Sequence, residues 1–146
     1  MKDLTTLNHK QFSDLLVKNF PHFFQHMEDI RCSLMGFGVE AESGWFPLIY
    51  ETLEKLDEVN DNPDFYITQI KEKFASIRIY CSPTNDKAWK VIECAEKKSM
   101  SICEICGKRG KLMERGYWLK TLCKNCSTLL DYKNCKPWKA YDETKK

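Results

Sequence analysis

The sequence lacks long apolar runs and has few histidines, none beyond residue 26. Its strictly apolar stretches, such as Leu15-Leu16-Val17, fall far short of the ~20 residues that cross a bilayer. A membrane-spanning helix is therefore excluded. Met1-Lys2-Asp3-Leu4-Thr5-Thr6 carries no apolar core of a secretory leader, so a cytoplasmic protein is expected. No collagen, coiled-coil or solenoid period is present. What is there suits a packed core: 42% of the 146 residues are hydrophobic and 12% aromatic, too many for a disordered chain. That length suits one domain, or a domain with a small module attached.

The net charge of +2 hides an asymmetry. Residues 1–100 carry 12 Lys/Arg against 16 Asp/Glu, whereas residues 101–146 carry 11 against 5. Only the C-terminal part leans toward anions.

Eight cysteines invite a disulfide reading. Their placement argues against it. Cys103-x-x-Cys106 and Cys123-x-x-Cys126 form two pairs separated by 16 residues, while Cys32, Cys81 and Cys94 are scattered. Each pair puts two thiolates on one tight knuckle, and four thiolates make the closed tetrahedral shell of one structural Zn2+. Free thiols and an iron site of the same donor set are the alternatives. Gly107 suits a turn that aims backbone amides at sulfur.

Hydrophobic periodicity predicts an α+β fold: a helical N-terminal part and a β-hairpin packed together over residues 1–100, then a finger at 101–132 and a basic tail at 133–146. Asn8 is expected to cap a helix to about Phe20, with Pro21 restarting a second carrying Phe23, Phe24, Met27 and Ile30. Gly36, Gly38 and Gly44 predict a shaped loop with close backbone approaches. Ser43 should cap a long helix bearing Trp45, Leu48, Ile49, Leu53 and Leu56. Two strands are expected in 65–81, turning at Lys71-Glu72-Lys73, then a helix to about Ser99 with Ala88, Trp89, Ile92 and Ala95 on one face.

In the finger, Lys111–Arg115 and Tyr117–Leu122 flank Gly116 as a hairpin, and the residues after Cys126 read as helical. A knuckle, a hairpin and a second pair at a helix start suggest a treble clef; a zinc ribbon is the alternative. A closed shell activates no water, so the metal accounts for stability rather than chemistry. An HNH-type nuclease needs a histidine on this hairpin, and none is there. His26-Met27-Glu28 imitates the H-x-E of zinc deaminases, but Ile102 stands where their proline precedes the cysteines. His22 and His26, four apart, are a minor candidate metal pair.

Two surfaces are candidates for binding. Lys108, Arg109 and Lys111, with Arg115, Lys120 and Lys124, interleave with Tyr117 and Trp118, the composition of a nucleic-acid surface. The competing reading of Trp118 packs the hairpin onto the body. Glu40, Lys71, Lys73 and Arg78 form a polar group beside the glycine loop. In the tail, Trp138 and Tyr141 are candidate anchors.

Several segments together resemble a family of small uncharacterised proteins of bacteria, phages and prophages. They are Met35-Gly36-Phe37-Gly38-Val39-Glu40, Ser43-Gly44-Trp45-Phe46-Pro47-Leu48-Ile49, Gln69-Ile70-Lys71-Glu72-Lys73-Phe74 with Ile77-Arg78-Ile79-Tyr80, Cys103-x-x-Cys106-Gly107, and Trp118-x-x-Thr121-Leu122-Cys123. Ser43 stands where the family often has an acidic residue. The resemblance implies a context in a host cell, and so a protein that modulates a host pathway or defence system. The first expectation is a protein-binding modulator using the glycine loop and the Trp45 helix. Nucleic-acid binding by the finger is the second, and an enzyme at the glycine loop and hairpin the third.

Overall fold

A computed structural model describes residues 3–135. Residues 136–146, with Trp138, Tyr141 and most of the expected basic tail, lie outside the described residues. The fold is α+β. Among the described residues, no helix is long and apolar enough to cross a membrane.

Helix α1 (His9–Asn19) starts where Asn8 predicts, with a reciprocal cap. Asn8 Oδ1 accepts the Gln11 amide at 2.8 Å and Gln11 Oε1 accepts the Asn8 amide at 2.9 Å. Pro21 does not restart an α-helix. Pro21–Phe24 is a single 3-10 turn, and the chain then runs through turns. Phe23 and Phe24 are buried, but Ile30 is exposed, so the expected stripe breaks. The cause is tertiary and local at once. Gln25 Nε2 reaches the carbonyls of Pro63 and Phe65, each at 3.2 Å, and Asp29 accepts the Arg31 amide.

Helix α2 (Phe46–Val59) begins later than expected, because Ser43–Trp45 forms a 3-10 turn and Ser43 is not its cap. Pro47 sits in the first turn, where no N–H is needed. Its inner face, Phe46, Ile49, Leu53 and Leu56, is fully buried, and Phe46 stacks on Phe12 with centroids 4.0 Å apart.

Strands β1 (Ile67–Lys73) and β2 (Ser76–Cys81) pair antiparallel, with Ile70 opposite Ile79 and Lys71 opposite Arg78. The turn is Phe74–Ala75, both at positive φ, so Lys71–Lys73 is strand. Glu72 Oε2 accepts the Ala75 amide at 2.9 Å and helps hold this turn without glycine. The glycine loop adds a partial third strand, since the Glu40 amide donates to Ile70 O and Glu40 O accepts from Glu72. Helix α3 (Asp86–Ser99), capped by Asn85, packs on β2. Its Ala88, Ile92 and Ala95 are buried, whereas Trp89 is 40% exposed.

The finger comprises β3 (Lys111–Arg115), β4 (Trp118–Leu122), α4 (Lys124–Leu129) and the two-residue β5 (Lys133–Asn134), in sheet order β4-β3-β5. The second cysteine pair opens a helix rather than a strand, which is the treble-clef order. The apolar side chains form two clusters. A large one runs from Phe12 to Ala95, and a small one comprises Cys103, Met113, Leu122, Cys126 and Tyr132.

Hydrogen bonds stitch the finger to the body. The Gly44 amide donates to Glu104 O at 2.8 Å, Trp45 Nε1 to Ile102 O at 2.8 Å, and Thr121 Oγ1 to Ala75 O at 2.7 Å. Trp45 is wholly buried at this seam, which removes it as a binding-surface residue. A large aromatic with one polar atom is satisfied in a core when that N–H finds a carbonyl, and Ile102 supplies it.

Candidate metal centre and cation-lined groove

Each knuckle is built by backbone geometry. Gly107, at φ +82°, lets the chain reverse so that its amide bonds Cys103 O at 3.0 Å, while the Cys103 amide bonds Lys108 O at 2.7 Å. Cys123 is the N-cap of α4, and the Cys126 amide points at Cys123 Sγ at 3.4 Å. That amide draws the Cys123 thiol down to about 7, whereas burial pushes Cys126 and Cys106 up. The sulfurs of Cys103, Cys106, Cys123 and Cys126 all lie within 4.8 Å of one another, with Cys106 and Cys123 at 3.6 Å. Metal–sulfur bonds of ~2.3 Å in a tetrahedron set sulfurs roughly 3.8 Å apart. The four thiols therefore fit one tetrahedral metal ion.

Glu104, inside the first knuckle, is buried and structural. Its carbonyl receives Gly44, its amide donates to Thr121 O, and Oε2 accepts the Thr121 amide at 2.7 Å. Burial pushes its carboxyl up to about 7 against the pull of Lys120, 3.5 Å away.

Beside the four cysteines lies an open groove of about 670 Å³. Arg109, Lys111, Lys124 and Lys133 line it, with Ser127 and Thr128 and an apolar floor that includes Met113, Leu122 and Tyr132. Among the described residues, no Asp or Glu lines it. The sequence points to Arg109, Lys111 and Lys124. It places Lys133 only at the start of the basic tail; its delivery to the finger by β5 is not legible, because a two-residue strand leaves no periodic signal. Lys108 is exposed nearby in sequence but does not line the groove. Trp118 and Tyr117, at the hairpin tip, are 72% and 97% exposed, so Trp118 does not pack the hairpin onto the body.

The polar group on the body is a cross-strand row. Glu40, Lys71 and Arg78 are neighbours across the three chain segments. Gln69 Nε2 donates to Glu40 Oε1 at 3.0 Å, Arg78 pairs with Glu96 at 2.8 Å, and the Lys73 ammonium lies over the Phe74 ring. Glu40, Arg78 and Lys73 are thus engaged with the protein itself. The two candidate metal histidines separate in role: His22 bonds Asp57 at 2.7 Å and His26 packs on Tyr66. No family model, curated protein or solved structure matches the chain.

Proposed function

We propose that the chain is a small, non-enzymatic binding protein whose finger, closed by one structural zinc, binds nucleic acid. The observation that carries this reading is the groove: four cationic residues from three segments of the finger line it, and no carboxylate of the described residues does. Four thiolates and Zn2+ sum to about −2, which moderates the field of the finger without reversing that lining. Zinc is proposed over iron because a closed shell of four cysteines on two short knuckles is the common structural zinc site. A closed shell leaves no position for substrate, which supports a binding role.

The resemblance to phage and prophage proteins is the reason for proposing the host cytoplasm as the setting and a host pathway or defence system as the target. A second reading, capture of a host or phage protein, is favoured by the glycine loop. Its Phe37 is 68% exposed, with Ile30 and Leu34 also at the surface.

Nucleic-acid affinity should be steeply salt-dependent, because cations on the protein release counterions from phosphate. Replacing Arg109, Lys111 and Lys124 together by Gln should weaken binding roughly 10-fold or more at low salt and flatten the salt slope by about 2 to 3. All three side chains belong to exposed residues, so melting should not change. Unchanged affinity and slope in the triple variant would remove the groove from the account.

A further inference from the structure

The groove continues into an aromatic surface. Tyr132, on its floor, carries the Arg115 guanidinium over its ring at 4.7 Å. Arg115 Nη1 also donates to Leu130 O at 2.9 Å, so two contacts hold the guanidinium in place. Arg115 is directly opposite Trp118 across the β3–β4 pair, and directly opposed residues share a sheet face. Tyr132, Arg115 and Trp118 therefore lead in turn from the groove to the exposed hairpin tip. In a duplex the faces of each base are covered by its neighbours, and an indole has nothing to stack on except at an end. An unpaired base offers its whole face. The finger is also poorly equipped to read a major groove, because α4 has only six residues and the metal ligands Cys123 and Cys126 occupy its cap and first turn.

We infer that the ligand of the finger is a single strand, whose phosphates follow Arg109, Lys111 and Lys124 while an unpaired base stacks on Trp118 next to Arg115. This rests on the nucleic-acid reading and specifies the form of the ligand. DNA and RNA share the chemistry.

The test uses the full, zinc-loaded chain and fluorescein-labelled DNA and RNA strands of about 12 nucleotides, within the range of site sizes for single-strand binders. Each strand is compared with its duplex by anisotropy. Single strands should bind at least roughly 10-fold tighter than the duplex. Trp118→Leu should lower single-strand affinity about 10-fold with the salt slope unchanged, and Trp118→Phe should restore most of it. A preference for one sugar would support the inference and identify which nucleic acid is taken. Equal binding of duplex and single strand would overturn the inference and leave the nucleic-acid reading standing. So would a neutral Trp118→Leu; the residue's exposure makes retention of fold the expectation, checked by melting. No binding to any strand or duplex would remove both.

Discussion

Cys103→Ser is expected to release zinc and unfold residues 101–132. The reason is the size of the finger's own core, five buried residues of which two are metal ligands. So small a cluster cannot offset the conformational entropy of some thirty residues at roughly 1–2 kcal/mol each. Structural zinc in isolated fingers is worth about 10–16 kcal/mol in apparent terms, and under the proposed zinc assignment that term would supply the folding energy here. The serine variant should fall from about one zinc per chain to near none, with amide protection lost across β3, β4 and α4. The damage should reach the body, because Trp45 Nε1 would lose Ile102 O and Gly44 would lose Glu104 O. Metal content by mass spectrometry and hydrogen exchange read both effects. Wild-type zinc content with wild-type melting would contradict the assignment. Cys126→Ser should behave in the same way.

Gly44→Ala should be strongly destabilising although it removes no side-chain contact. A Cβ built on Gly44 would lie 2.2 Å from Cys103 O and 2.5 Å from both the carbonyl carbon and the oxygen of Glu104. These are backbone atoms and cannot rotate aside. The body and finger must separate locally, which strains the Gly44–Glu104 hydrogen bond and the packing of Trp45. Overpacking of this kind costs about 3 kcal/mol or more. For a chain of this size that is a fall in Tm of about 10 °C. The ligands themselves are untouched, so zinc content should stay near one. Gly116→Ala is the comparison. Gly116 sits at φ +62°, and a Cβ added there would meet no atom of the described residues within 4 Å. It should cost only about 1 kcal/mol for its left-handed backbone. Thermal melts of the two variants side by side provide the check. A Gly44→Ala melt no lower than that of Gly116→Ala would show that the seam is more compliant than described.

The parts of the fold legible in the sequence are those set by local chemistry. The Asn8 cap, the apolar stripe of α2 and the two C-x-x-C knuckles each depend on residues a few positions apart. The illegible parts depend on distant partners. Trp45 reads as one side of an amphipathic helix, yet its burial is completed by a carbonyl 57 residues away. The turn at Phe74–Ala75 contains no Gly, Asn or Pro. Ala75 is held from both sides, by Glu72 Oε2 at its amide and by Thr121 at its carbonyl. The Lys and Glu residues just before it resemble a turn only because such residues are uncommon in strands.

The candidate site divides along the same line. The four cysteines are readable because each C-x-x-C pair is a short local signal and the two pairs stand close together in the chain. The groove is half readable: Arg109, Lys111 and Lys124 stand beside the knuckles, but Lys133 arrives only when β5 pairs with β3. Trp118 reads as a packing residue because a tryptophan among apolar residues is usually covered. On this hairpin its cross-strand partner is Arg115, and the body contacts the hairpin through Thr121 instead.

The most direct test is purification of the tagged, zinc-loaded chain from host lysate, split into nuclease-treated and untreated halves. Nucleic acid is expected in the untreated half, lost in high salt and lost from the Arg109, Lys111 and Lys124 triple variant. Any accompanying proteins should leave with the nucleic acid. A stoichiometric protein that survives nuclease, retained by the triple variant and with no nucleic acid in either half, would contradict it and move the working surface to the glycine loop around Phe37.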